Sequence, residues 1–215
     1  RLVGSDMCIR HRSGRPAGAF ELFQSEADIQ PSNLDHEALV LHTSGTTSRP
    51  KVVPLLQRNI LASTRNISAS LELTATDHCL NIMPLFHIHG LIAVLATSIS
   101  QGASVCCSSG FNALKFLELA KEEKISWYSG VPTMHQTILL RAQKQPEAAR
   151  ALGLRFLRSS SASLPPAVFS ELNDVFGCPV IEAYGMTEAT HQMTSNSLEL
   201  GKQKAGCVGI VTSPD

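Results

Sequence analysis

Residues 155–183, RFLRSSSASLPPAVFSELNDVFGCPVIEA, decide the fold class, because two short apolar runs flank a segment with the helical period. Arg155-Phe156-Leu157-Arg158 and Pro179-Val180-Ile181-Glu182-Ala183 read as strands. Between them, Pro165 and Pro166 suit a first helical turn, and Gly177 suits the left-handed residue after the last one. Neither strand alternates strictly between apolar and polar residues, which fits strands covered on both faces, as in a parallel sheet. A strand, a helix and a parallel strand in that order imply a right-handed crossover.

Working outward, the same order recurs along the chain. Strands are predicted at 38–41, 79–83, 103–107 and 125–128, and helices at about 57–71, 89–100, 112–123 and 132–145. In 112–123, Leu114, Leu117, Leu119 and Ala120 repeat near the helical period behind an Asn112 cap. The expectation is an α/β domain, with a parallel or mostly parallel sheet flanked by helices and with function at the loops beyond the strand C-terminal ends.

Composition agrees with a packed domain and excludes several classes. Of 215 residues, 43% are apolar and 17% charged, and 18 basic side chains balance 18 acidic ones. No net field draws the chain to nucleic acid, so no nucleic-acid partner is expected. No apolar run approaches the roughly 20 residues of a membrane helix, and no secretory signal opens the chain, so a cytoplasmic location is expected, or a peroxisomal one in a eukaryote. Six scattered cysteines read as buried apolar residues in a reducing compartment. Residues 1–15 lack any period and resemble translated sequencing adapter, so they are read as a non-native leader. The chain starts at Arg1 without a methionine and stops at Asp215 just after a glycine-rich turn, so 16–215 is read as a fragment truncated at both ends. Oligomeric state is left open.

Three segments carry candidate chemistry. The first, HTSGTTSRPK at 42–51, gathers Thr43, Ser44, Gly45, Thr46, Thr47 and Ser48 with Arg49 and Lys51, and such a loop offers backbone and charged donors to a polyphosphate. It is not a Walker loop, since Pro50 stands where a glycine would precede the lysine. The second, EAYGMTE at 182–188, combines a tyrosine able to stack on a purine with a glycine for close approach and a Thr-Glu pair for phosphate and a hard cation. The third, PLFHIHG at 84–90, holds His87 and His89; a zinc site lacks further ligands at a familiar spacing, which leaves a gating or substrate role or a pair of satisfied loop histidines.

In this order, and together with SSSASL at 159–164 and Lys204 to Gly209, these segments resemble the acyl-activating, adenylate-forming enzymes. Within that superfamily HTSGTTSRPK, PLFHIHG, SSSASL and EAYGMTEATHQMTSN are most similar to oxalate-CoA ligases. The resemblance implies part of the large N-terminal domain of such an enzyme, the small-molecule partners ATP, Mg²⁺, coenzyme A and a carboxylic acid, and an AMP-forming acid-thiol ligase reaction. Thr43 to Lys51 would hold the β- and γ-phosphates. Ala162, Ser163 and the backbone of Glu182, Ala183, Tyr184 and Gly185 would enclose adenine. Thr187 would contact the α-phosphate, Glu188 would hold Mg²⁺, and His87 would gate the acyl pocket; Lys51, His87, Thr187 and Glu188 are the expected catalytic set. Ser48 follows the oxalate-ligase pattern, whereas Val52 stands where glycine is usual.

The acid is expected to be small and doubly charged. His191 lies three residues past Glu188 and so near the acyl pocket, and a second carboxylate buried there needs a cation or several donors. Protonated His191, with His87, His89 and the hydroxyls of Ser159, Ser160 and Ser161, would supply them. A medium-chain or aromatic acid activator, a nucleotide-binding module without ligase activity and a kinase-like phosphotransferase are the alternatives.

Overall fold

The computed structural model describes residues 33–43, 50–199 and 201–212. The expected leader and the loop residues Ser44, Gly45, Thr46, Thr47 and Ser48 therefore lie outside the described residues.

The 155–183 unit forms as read. Strand β6 (Phe156–Ser159) leads through a loop to helix α6 (Pro166–Phe176), which starts on proline, ends at Gly177 with φ +68°, and returns as β7 (Val180–Met186). Five further strands belong to this sheet on one side or the other: β3 (His78–Asn81), β4 (Ser104–Cys107), β5 (Trp127–Gly130) and, after β7, β8 (His191–Ser195) and β9 (Ile210–Val211), the last at the far edge. The order is β4-β3-β5-β6-β7-β8-β9; the first five are mutually parallel, and β8 and β9 join antiparallel. The sheet is thus mostly parallel, as expected.

Neighbouring residues of each inner strand point to opposite faces, and both faces are buried. Leu80, Tyr128, Leu157 and Val180 pack under α3 (Phe116–Glu122), α4 (Pro132–Ala142) and α6. Cys79, Trp127, Phe156 and Ile181 pack on the other side with Ile67 and Leu71 of and after α1 (Gln57–Ser70), and with Ala93 and Val94. Each such apolar side chain taken from water contributes about 1.5–3 kcal/mol, so two covered faces account for strands without alternation.

At the N-terminal strand ends a polar clasp closes this core. Asp77, 2% exposed at its side chain, receives both oxygens' worth of Arg155 Nη1 at 2.7 Å, Ser126 Oγ at 2.7 Å and Thr74 N–H at 2.9 Å. Burial pushes its carboxyl up, but these donors outweigh burial and leave it below the usual value.

Four expectations need correction. The strand expected at 38–41 exists as β1 (Glu37–Thr43) but is outside the parallel sheet: it pairs antiparallel with β2 (Lys51–Leu56), Thr43 opposite Lys51, so the two strands bracket the 44–49 loop. β2 was not anticipated; it carries Pro54, which a two-stranded edge tolerates. The helix expected over 89–100 is a π-helix, His89–Ala96, running into α2 (Thr97–Ser100), with Thr97 Oγ1 donating to the Ile92 carbonyl five residues back at 2.7 Å. Asn112 accepts from Leu114 and Lys115 N–H, which makes a turn that delays α3 to Phe116. Finally, Pro146 ends the helix expected over 132–145 and starts a separate α5 (Pro146–Arg150).

Candidate active site

The loop after β6 and the last residues of β7 face one another across a cleft of about 260 Å³. Ser159, Ser161, Ala162 and Ser163 line one side, Glu182, Ala183, Tyr184 and Gly185 the other, and Gly206 and Val208 close one end. Parallel neighbours in the sheet put both loops at the C-terminal strand ends, where a crossover fold opens a crevice. A larger hollow, about 350 Å³, lies by Cys106 to Asn112 on the edge strand β4 and contains none of the expected site residues.

Local bonds hold the walls. Ser160 Oγ donates to the Ala183 carbonyl at 2.8 Å, and Gly206 N–H donates to Glu182 Oε2 at 2.9 Å. Burial raises the Glu182 carboxyl above its usual range, against backbone donors that lower it. Tyr184 is half exposed, with its ring free to meet a flat ligand. A side chain at 185 would overlap the His191 carbonyl oxygen, so only glycine lets β7 and β8 close at that bulge.

Beyond β7, Thr187–Ala189 makes one 3₁₀ turn, and Thr190 and His191 follow with φ of +54° and +97°. Both are strained values for residues with a Cβ. Ser63 Oγ of α1 anchors the turn by donating to the Thr190 carbonyl at 2.6 Å. The turn presents Glu188 to Lys51 Nζ of β2 at 4.0 Å, with side chains 37% and 67% exposed. Two segments 137 residues apart in the chain thus place a cation and a carboxylate together. Val52 is exposed on β2 and crowds neither.

The histidines separate into two groups. His87 is exposed, and its Nδ1 accepts from the His89 N–H at 3.1 Å; partial burial lowers its pKa. His89 is fully buried, with Nδ1 at 3.1 Å from Ser161 Oγ and Nε2 at 2.6 Å from Ser129 Oγ. His191 is buried as well, its ring 5.0 Å from that of His89. Here a sequence expectation fails: His191 was to be protonated, yet burial first, and then the Arg158 guanidinium and His87, push its pKa well below the usual value, so the ring is neutral. Burial foremost, then His191 and Arg158, lower the pKa of His89 as well.

Sequence reasoning missed Arg158, Ser129 and Gln192. Arg158 is fully buried on β6, donating to Gln192 Oε1 at 2.8 Å and to Ser129 Oγ and His89 Nε2 at 3.2 Å. The available signal was an arginine between an apolar strand and the serine loop, a position where a parallel sheet buries both faces. Among the described residues no group of three or more His, Cys, Asp or Glu side chains gathers to hold a metal, and no helix is long and apolar enough to cross a membrane.

The AMP-binding enzyme family matches residues 7–214. An oxalate–CoA ligase of Arabidopsis thaliana is 51% identical over 178 residues, covering 81% of this chain and 34% of that relative. An oxalate–CoA ligase of Saccharomyces cerevisiae is 47% identical over 172 residues, covering 80% and 31%. Among solved structures, a malonyl-CoA ligase in a ternary product complex with methylmalonyl-CoA and AMP matches with a TM-score of 0.77 at 33% identity, covering 83% of this chain and 38% of that one. The chain spans about a third of the length of the curated relatives it matches. Matched along nearly all of its sequence, and folded as part of the large domain of the adenylate-forming enzymes, this chain belongs to the AMP-binding enzyme family.

Proposed function

We propose that the whole protein is an AMP-forming acid–CoA ligase whose substrate is a small dicarboxylate, oxalate foremost. The observation that carries the reading is the meeting of Lys51 and Glu188, the latter on the turn that directly follows the cleft-lining strand β7. A nucleotide in that cleft would have its base beside Ala162, Ser163 and Tyr184 and its phosphates toward Thr187 and Lys51. The similarity to oxalate–CoA ligases supports oxalate, and that to a malonyl-CoA ligase keeps a dicarboxylate one carbon longer in view.

The work of these side chains is positioning and charge. A carboxylate attacking the α-phosphorus must approach an anion, so Lys51 and the Thr187 hydroxyl lower the repulsion as pyrophosphate departs. Glu188 and Thr187 offer hard oxygen donors at an open turn, which fits a Mg²⁺ shared with phosphates and water rather than caged by protein. Bound there, Mg²⁺ supplies charge neutralisation for the leaving pyrophosphate. Coenzyme A then takes the acyl group in a second step.

Pyrophosphate exchange with a panel of acids tests the reading. In the whole protein, Lys51→Ala and Glu188→Gln should each slow oxalate-dependent exchange by the roughly 2–4 kcal/mol of a lost transition-state contact. Glu188→Gln should also move the Mg²⁺ dependence to higher concentration. Exchange at the parental rate in both variants would refute this site, and exchange only with monocarboxylates would refute the substrate.

A further inference from the structure

Arg158 is an isolated buried cation. Its side chain is fully enclosed, and no carboxylate among the described residues forms an ion pair with it. Burying a guanidinium without a counter-charge costs several kcal/mol, more than neutral acceptors such as Gln192 Oε1 and Ser129 Oγ repay. Desolvation lowers its pKa to about 9, which still leaves it charged near neutral pH. Its own Nε has no hydrogen-bond partner among the described residues. Fold stability alone therefore gives no reason to keep an arginine here.

Its bonds lead toward the cleft. A guanidinium only donates, so the ring nitrogens that face it accept: His89 Nε2, at 3.2 Å from Nη1 and with the Ser129 hydroxyl donating to it at 2.6 Å, and His191 Nδ1 at 3.5 Å. Neutral His89 then carries its proton on Nδ1 and donates it to Ser161 Oγ at 3.1 Å. That leaves the Ser161 hydroxyl proton free to point away from the ring, and Ser161 is exposed on the cleft wall. The series Arg158, His89, Ser161 is polarised in one direction, with a positive charge at its buried end.

We propose that Arg158 is the specificity-determining residue for the carboxylate that is not activated: it supplies, through His89 and Ser161, the positive charge that this second carboxylate meets. The inference rests on the proposed function, and it replaces a protonated histidine with a permanent guanidinium as the source of charge. Arg158 acts through its neighbours, so it is a positioning residue. A monocarboxylate has no group to draw on that charge.

The experiment compares parent, Arg158→Met and Arg158→Lys in the whole protein, reading pyrophosphate release with oxalate, malonate and acetate, and thermal unfolding of each. In Arg158→Met, kcat/KM for the dicarboxylates should fall roughly a hundredfold or more, mainly through KM, while that for acetate changes less than about threefold. Its melting temperature should hold or rise, because an uncompensated buried charge has been removed. Arg158→Lys should restore part of the loss, since it returns the charge without the two-way fork. Equal loss on all acids, or a clear fall in melting temperature, would make Arg158 structural and overturn the inference. Undiminished dicarboxylate activity in Arg158→Met would overturn it while leaving the ligase reading intact. A parent that activates only acetate would overturn both.

Discussion

Arg155, the residue before β6, and Arg158, on that strand, lie three residues apart and are treated in opposite ways. Arg155, at the N-terminal end of β6, lies against Asp77, is partly solvated, and closes the bottom of the sheet. Arg158, at the other end, is sealed from water among two neutral histidines, a serine and a glutamine. A charge that is matched inside the protein is consumed by the fold. A charge that is left unmatched remains available to a ligand. The two ends of one strand thus separate stability from chemistry within about four residues.

The comparison can be broken by experiment. The largest stability effect should come from Asp77→Ala, which leaves the Ser126 hydroxyl, the Thr74 N–H and Arg155 without their acceptor; we expect about 2–4 kcal/mol of destabilisation by chemical unfolding, with the acid preference of the remaining folded enzyme unchanged. A shift in acid preference would erase the distinction between the ends. Next, acid should unfold the two ends in different windows. His89, His191 and His135 have pKa values below the usual 6.5, His135 about 4, so the unfolded chain takes up protons first; stability at this end should decline as pH falls from about 6.5, by up to roughly 1.4 kcal/mol per pH unit for each histidine. Asp77 is lowered from 3.8, so its contribution is present above that value and is lost only as pH falls below it. Stability measured against pH should then show an upper limb that His135→Gln flattens and a lower limb that Asp77→Asn removes.

A smaller effect sharpens the same contrast. Tyr128 OH donates to His135 Nδ1 at 3.1 Å, and His135 Nε2 donates to the Arg158 carbonyl at 3.1 Å, pinning the backbone beneath the cation. Tyr128→Phe strips the first of these bonds and should cost about 1 kcal/mol of stability. Because the Arg158 side chain keeps its own partners, oxalate KM should not change; a rise would mean that the backbone bond, rather than the charge, sets the site.

What the sequence disclosed follows from which signals are local. The 155–183 unit carries its own start and stop residues, so proline, glycine and unbroken apolar runs suffice to define it. β1 was misassigned to the parallel sheet because alternation at Leu39, Leu41 and Thr43 marks a half-buried strand without naming its partner, and β2 was not read as a strand. The π-helix carries no sequence signature apart from small and β-branched residues, its register being set by packing and by the Thr97 side chain. At the site, the motif residues were legible as types able to hold phosphate and metal. The neutral state of His191 was not, because it depends first on burial and then on an arginine 33 positions away, and only the fold supplies either. Arg158 itself was read as one more strand residue.

The positive φ at His191 has a practical consequence for anyone replacing that residue. Alanine keeps the Cβ that the left-handed backbone opposes, so His191→Ala removes the imidazole and retains the strain; glycine removes both. His191→Gly should therefore be the more stable of the two by up to about 1 kcal/mol, although glycine is usually the poorer choice in a strand. Activity that differs between these two variants measures how far the geometry of the Thr187–Glu188 turn depends on a wound backbone, and activity lost equally in both measures the ring alone.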